Sequence, residues 1–156
     1  MASSAIEYRT VEQCVEATVA RVGKQLMLGA PIGIGKPNQL LHAFYREQVD
    51  RYGFAESVDL DPTEYQPPGG RFAVAYQHGT PVGCGGFRSY PQRPGTVEIK
   101  KLYLAPGHRG SGTGRALLTW LERHARLGGA HQAILETGSR NTAALQLFTA
   151  AGYQPT

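Results

Sequence analysis

The stretch Val97 to Leu118, VEIKKLYLAPGHRGSGTGRALL, constrains the fold more than any other part of the chain. Val97 to Leu104 mixes β-branched, aromatic and charged residues as a partly buried strand does, and Pro106-Gly107 ends it. Arg109-Gly110-Ser111-Gly112-Thr113-Gly114 then leads into Ala116, Leu117, Trp120, Leu121 and Ala125, which recur with helical spacing along one face. A strand entering a helix through such a turn leaves backbone N–H groups unpaired at the positive end of the helix. Glycine lets a ligand approach backbone that a Cβ would shield. This is an anion site suited to a phosphate or diphosphate.

Two phosphate motifs are excluded by spacing. A P-loop needs Gly-Lys followed by Ser or Thr, and Arg115 follows Gly114. A dinucleotide fingerprint needs a third glycine at its sixth position, which is Arg115 counted from Gly110 and Leu117 counted from Gly112. Glu136, at the end of the next strand, is the one feature that favours a dinucleotide. Gly29 to Pro37 mimics a Walker loop but has Ala30 in place of the first glycine and Pro37 in place of the hydroxyl residue.

Arg109-x-x-Gly112-x-Gly114 resembles the pyrophosphate loop of the GNAT N-acetyltransferases, Gln/Arg-x-x-Gly-x-Gly/Ala. The blocks EIKKLYLAPGHRGSGTGRALL and LETGSRNTAALQLFTAAGY resemble the family's two most recognisable segments, in the right order. The resemblance implies an α/β fold: a mixed central sheet with helices on both faces, splayed at the cofactor site. It implies acetyl-CoA as cosubstrate, with no metal. The backbone of Leu102, Tyr103 and Leu104 would hold the acetyl carbonyl and pantetheine arm, and Arg109, Gly110, Ser111, Gly112, Thr113, Gly114 and Arg115 the diphosphate. Asn141 matches a family asparagine on the cofactor arm; it also suits a helix N-cap, and both roles are compatible. Glu98 stands where some members carry a general base, or is a strand carboxylate paired with Lys100 or Lys101. Phe148 departs from the pattern, because a tyrosine that protonates the leaving thiolate usually stands there. Members also continue through one more strand beside Gln132 to Glu136; with the chain ending at Thr156, that strand is expected to be missing. The open edge would favour a homodimer.

The stretch VARVGKQLMLGAPIGIGKPNQLLHAFYR, residues 18–46, resembles the opening of acetyl-CoA hydrolase/CoA-transferase chains. Their catalytic glutamate lies in a part this sequence lacks, so the resemblance implies structure and no activity. The expected organisation is a single domain: an atypical segment over residues 1–37, with a helix over Val11 to Val22 and a strand over Lys24 to Leu28, then an acetyltransferase core over 38–156. In that core Asn38 to Tyr52 reads as a helix with Leu41, Phe44, Tyr45 and Val49 inward, capped by Asn38 and stopped by Gly53. Asp59 to Gly70 reads as a loop. Tyr45, Arg46, Tyr52 and Tyr65 are candidates for acceptor contacts or, alternatively, core and surface side chains. Phe72 to Gln77 and Pro81 to Arg88 form a hairpin about His78-Gly79-Thr80, with Gly83, Gly85 and Gly86 marking close approach of a neighbour. Ser139 to Ala151 is a helix with Ala144, Leu145, Phe148 and Ala151 inward.

Composition bounds the rest. A chain of 156 residues, 41% hydrophobic, suits one core. No apolar run spans a bilayer, the N-terminus is unlike a signal peptide, and Cys14 and Cys84 lack metal spacing, so a cytoplasmic protein with reduced thiols and no membrane partner is expected. A net charge of +4 and a pI near 9.2 allow nucleic acid, but the basic residues are scattered, and a polyanionic cosubstrate accounts for them equally well. The expected function is acetyl-CoA-dependent N-acetylation of a primary amine, a small molecule before a peptide. The alternative is a CoA-binding module without catalysis, motivated by Phe148 and the missing strand.

Overall fold

The computed structural model describes residues 26–29, 37–55 and 61–156, with side chains placed from residue 39 onward. The helix expected over Val11 to Val22, Cys14 and most of the 29–37 loop lie outside the described residues. Five strands form one sheet in the order β1 (Leu26–Gly29), β2 (Gly70–Gln77), β3 (Thr80–Ser89), β4 (Thr96–Leu104), β5 (Gln132–Leu135). The first four pair antiparallel and β4 pairs parallel with β5, which makes the sheet mixed, as expected. Among the described residues β5 is a sheet edge. Helix α1 (Pro37–Tyr52) covers one face; α2 (Thr113–Leu127) and α3 (Thr142–Ala150) cover the other.

Strand alternation assigns the faces. Phe72 and Val74 pack with Leu40, Leu41, Tyr45 and Tyr65 under α1, while Ala73 packs with Leu117, Leu118 and Leu121 of α2. Those three leucines are wholly buried, each contributing about 1.5–3 kcal/mol of transfer free energy. The β2–β3 hairpin turns on His78 (φ 49°) and Gly79 (φ 76°), with Gln77 opposite Thr80. Two positive φ values match the right-handed twist of the strands. The glycines of β3 sit where neighbours close in, mostly with side chains: a Cβ on Gly86 would meet the rings of Tyr65 and Phe72 at 2.6 and 2.7 Å.

Several local expectations need correction. Helix α1 begins at Pro37, so Asn38 lies inside it, and proline suits a first turn whose N–H has no partner anyway. Val49 is 48% exposed and does not join the core. Gly53 does stop the helix, at φ 80°, its N–H reaching Val49 O at 2.8 Å. The loop before β2 contains a 3₁₀ turn, Pro62–Tyr65, capped by Asp61. Helix α3 starts only at Thr142, since Asn141 accepts from Ala144 N–H at 3.3 Å as its N-cap, and Leu145 faces outward, 40% exposed.

Candidate functional site

The site begins with a defect in β4. Cys84 pairs with Tyr103 but Gly86 with Lys100, so β4 carries one more residue than β3 over this interval. The bulge centres on Lys101, a non-glycine residue at φ 59°. Its ammonium lies 5.0 Å from the Tyr45 ring centroid and its carbonyl accepts from the buried Cys84 thiol at 3.6 Å. These contacts help hold a conformation that isolated backbone disfavours. Pairing of β4 with β5 stops at Ile99–Leu135, just before the bulge. Beyond it the β5-facing edge of Leu102, Tyr103 and Leu104 borders a cavity of about 760 Å³. The expected splay is present, and the bulge is its physical cause.

The glycine-rich turn closes the same cavity. Gly110 (φ 75°) and Gly112 (φ 89°) adopt left-handed backbone, which costs other L-residues about 1–2 kcal/mol. The first helical bond of α2 runs from Ala116 N–H to Gly112 O at 3.0 Å. The N–H groups of Thr113, Gly114 and Arg115 therefore precede the ladder and have no helical acceptor. Arg109, Gly110, Gly112, Gly114 and Arg115 line the cavity, whereas Ser111 and Thr113 do not. Their hydroxyls bond each other at 2.9 Å, and Ser111 also donates to His108 O at 2.8 Å. Asn141 lines the opposite wall while capping α3.

Glu98 is placed elsewhere. It lies directly across from Arg88 in the β3–β4 ladder, where β4 is still paired with β5. Arg88 Nε donates to its Oε2 at 3.0 Å, Arg88 Nη2 lies 3.0 Å from the same oxygen, and Lys100 Nζ is 3.7 Å from its Oε1. Arg88 also reaches Glu64 at 2.7 Å. Glu98 is not among the cavity-lining residues; the geometry favours its pairing over a direct approach to a ligand.

Helix α1 supplies a wall that the sequence reading largely missed. Phe44, Glu47, Gln48, Arg51 and Tyr52 line the cavity, followed by Phe54. The signal was available, because positions 44, 48, 51 and 52 share one helical stripe. Of the four acceptor candidates only Tyr52 reaches the cavity. Tyr45 and Tyr65 are core residues and Arg46 is exposed. Burial raises the Tyr65 and Cys84 pKa values to about 12, so both stay protonated near neutrality. Burial, reinforced by a hydrogen bond to Glu47, likewise holds Tyr103 up at about 12, a neutral donor. Phe148 lines the cavity with its ring edge against Tyr153. Tyr153 itself belongs to the core beneath α2 and does not line the cavity.

Arg51, Lys100, Lys101, Arg109, Arg115 and Arg140 are among the residues lining this space, with the carboxylates Glu47 and Glu136, an excess of basic residues suited to a polyanion. Among the described residues no group of His, Cys, Asp and Glu could hold a metal ion, and no helix is long and apolar enough to cross a membrane.

Known proteins share this fold. The chain is 33% identical to the IAA acetyltransferase of Azospirillum brasilense over 115 residues, 74% of each protein. It superposes on a crystal structure assigned as an acyl-CoA N-acyltransferase from Klebsiella pneumoniae with a TM-score of 0.63 and 30% identity, covering 83% of this chain and 81% of that one. A GNAT family acetyltransferase from Elizabethkingia anophelis, solved with acetyl-CoA bound, shares the fold with a TM-score of 0.63 at 23% identity, over 85% of this chain and 78% of its own. The comparisons do not show the resemblance of residues 18–46 to CoA-transferase chains; the matching family model takes up the chain inside that stretch. The model of the acetyltransferase (GNAT) family matches residues 38–153, and the chain belongs to that family.

Proposed function

We propose that this protein transfers an acetyl group from acetyl-CoA to a primary amine of a small molecule in the cytoplasm. One observation carries the reading: the bulge-driven splay of β4 and the glycine-rich start of α2 open into a single basic cavity. Its volume of about 760 Å³ falls in the range of small-molecule sites. The free β4 edge can receive the pantetheine arm as an added partial strand. The N–H groups of Gly114 and Arg115, with the left-handed turn before them, suit the diphosphate.

A backbone N–H beside the bulge would polarise the thioester oxygen as the amine nitrogen attacks the carbonyl carbon and the C–S bond breaks. The amine must lose a proton. Glu136, exposed at the cavity wall where β5 ends, is better placed to take it than Glu98, which Arg88 holds. Phe148 cannot protonate the departing thiolate, but a simple thiol has a pKa of ~8.5, so solvent suffices. Phe44, Tyr52 and Phe54 along the α1 side favour an acceptor with an aromatic or apolar body over a peptide main chain.

Calorimetric titration with acetyl-CoA, with NAD and ATP as controls, tests the binding half. Saturable binding of acetyl-CoA alone is expected. Acceptor-dependent release of free thiol across a panel of amines tests the transfer. Binding without release under any acceptor would instead support a CoA-binding module, the reading that Phe148 favours.

A further inference from the structure

Glu47 belongs to α1, outside both the turn and the strand assigned above to the cosubstrate, yet several elements converge on its carboxylate. Arg109 Nη2 lies 2.8 Å from both Oε1 and Oε2. The Tyr103 hydroxyl donates to Oε1 at 3.0 Å, and Arg51, one turn along α1, stands 3.8 Å from Oε2. Arg109 is committed on its other side as well. Its Nε donates to Leu104 O at 3.0 Å, its backbone N–H to Pro106 O at 3.3 Å, and its guanidinium lies 5.5 Å from the Tyr103 ring centroid. The first residue of the turn is therefore bound to the end of β4 and to α1.

Resting on the acetyl-CoA reading, we propose that Arg109–Glu47 is a brace: the Arg109 side chain orients the turn by holding α1 and does not bind the diphosphate, which makes Glu47 a positioning residue of the cosubstrate site. For Arg109 to serve the diphosphate through the same N–H groups it would have to abandon a half-buried carboxylate. Glu47 would then keep the neutral Tyr103 phenol and the more distant Arg51, beside a newly arrived dianion. The N–H groups at the start of α2 meet the same anion without that rearrangement.

The two roles give Glu47→Gln opposite signs. With a brace, Glu47→Gln and Arg109→Gln each weaken CoA binding by about five- to tenfold, within the coupling range of residues in one network, and the double variant is no weaker than either alone. The exchange Glu47→Arg with Arg109→Glu recovers part of the loss. With Arg109 as a phosphate ligand, Glu47→Gln leaves affinity unchanged or improves it by removing a competing carboxylate, and the exchange is the worst variant of all. The experiment is calorimetric titration of the full chain with CoA after thermal denaturation has established folding. Equal or tighter binding by Glu47→Gln overturns the brace. If Glu47→Gln does not fold, Glu47→Asp, which keeps the charge at shorter reach, is read the same way: weaker binding supports the brace and unchanged binding overturns it. Failure of the unaltered protein to bind CoA defeats the acetyl-CoA reading itself and is distinguished by that control.

Discussion

Replacing Glu98 by glutamine separates a catalytic role from a structural one. The Glu98 side chain is 11% exposed and its principal partner Arg88 30%, so the pair lies between two regimes. Exposed pairs are worth ~0–1 kcal/mol, whereas breaking a buried pair costs ~3–5 kcal/mol. In Glu98→Gln the Arg88 charge is not orphaned, because Glu64 remains 2.7 Å away, and the amide oxygen can still accept. The expected cost is therefore about 1–2 kcal/mol, or a Tm lower by roughly 3–6 °C for a chain of this size. Arg88→Gln should cost more, since among the described residues it leaves the less exposed carboxylate with Lys100, 3.7 Å away, as its ion-pair partner. Neither variant should alter turnover more than about threefold, measured as thiol release at saturating acetyl-CoA and amine, well below the loss expected on deleting a general base. Removing such a base lowers turnover by about 10²–10⁴. A hundredfold fall in Glu98→Gln with an unmoved Tm would refute the reasoning and return Glu98 to the reaction.

Other outcomes follow from the same geometry. Glu136→Gln should lower turnover by about 10²-fold or more near neutral pH while sparing acetyl-CoA affinity; unchanged turnover removes Glu136 from the mechanism. Gly112→Ala forces a Cβ onto backbone at φ 89° and should cost about 1–2 kcal/mol while weakening acetyl-CoA binding. Gly107→Ala, whose added Cβ meets no described residue within 4 Å apart from its chain neighbours, is the control expected to change neither. Glu122 is on the buried face of α2, where burial raises its pKa above the ordinary 4.5 despite Tyr153, Arg115 and Arg126 nearby. A raised carboxyl favours the native state while protonated, so its contribution is complete below about pH 4.5 and lost as pH climbs through the native pKa. Glu122→Gln should therefore be more stable than the parent near neutrality, with the gap closing in acid; urea titrations across pH 4 to 8 would show it, and a pH-independent difference would contradict it.

The local code of the chain was sufficient for most of the described elements and for the left-handed glycine turn that precedes α2. Hydrophobic periodicity gives α2, turn residues give the β2–β3 hairpin, and glycines at 110, 112 and 114 give the strand–turn–helix, because each depends on neighbours in sequence. Three features were beyond it. The bulge at Lys101 arises because Tyr45 and Cys84, 56 and 17 residues away along the chain, help hold a lysine in left-handed backbone that its own neighbours do not demand. Glu98 stood where some family members carry a base and was equally readable as a carboxylate paired with Lys100 or Lys101; only the strand register puts Arg88 opposite it as a partner. The contact between Glu47 and Arg109 spans 62 residues, and no local pattern marks either as the other's counter-ion. Sequence sets what short-range sterics and amphipathicity can decide. The pairing of charges across strands and between a helix and a distant loop belongs to the packed structure, where the partners first come within hydrogen-bonding distance.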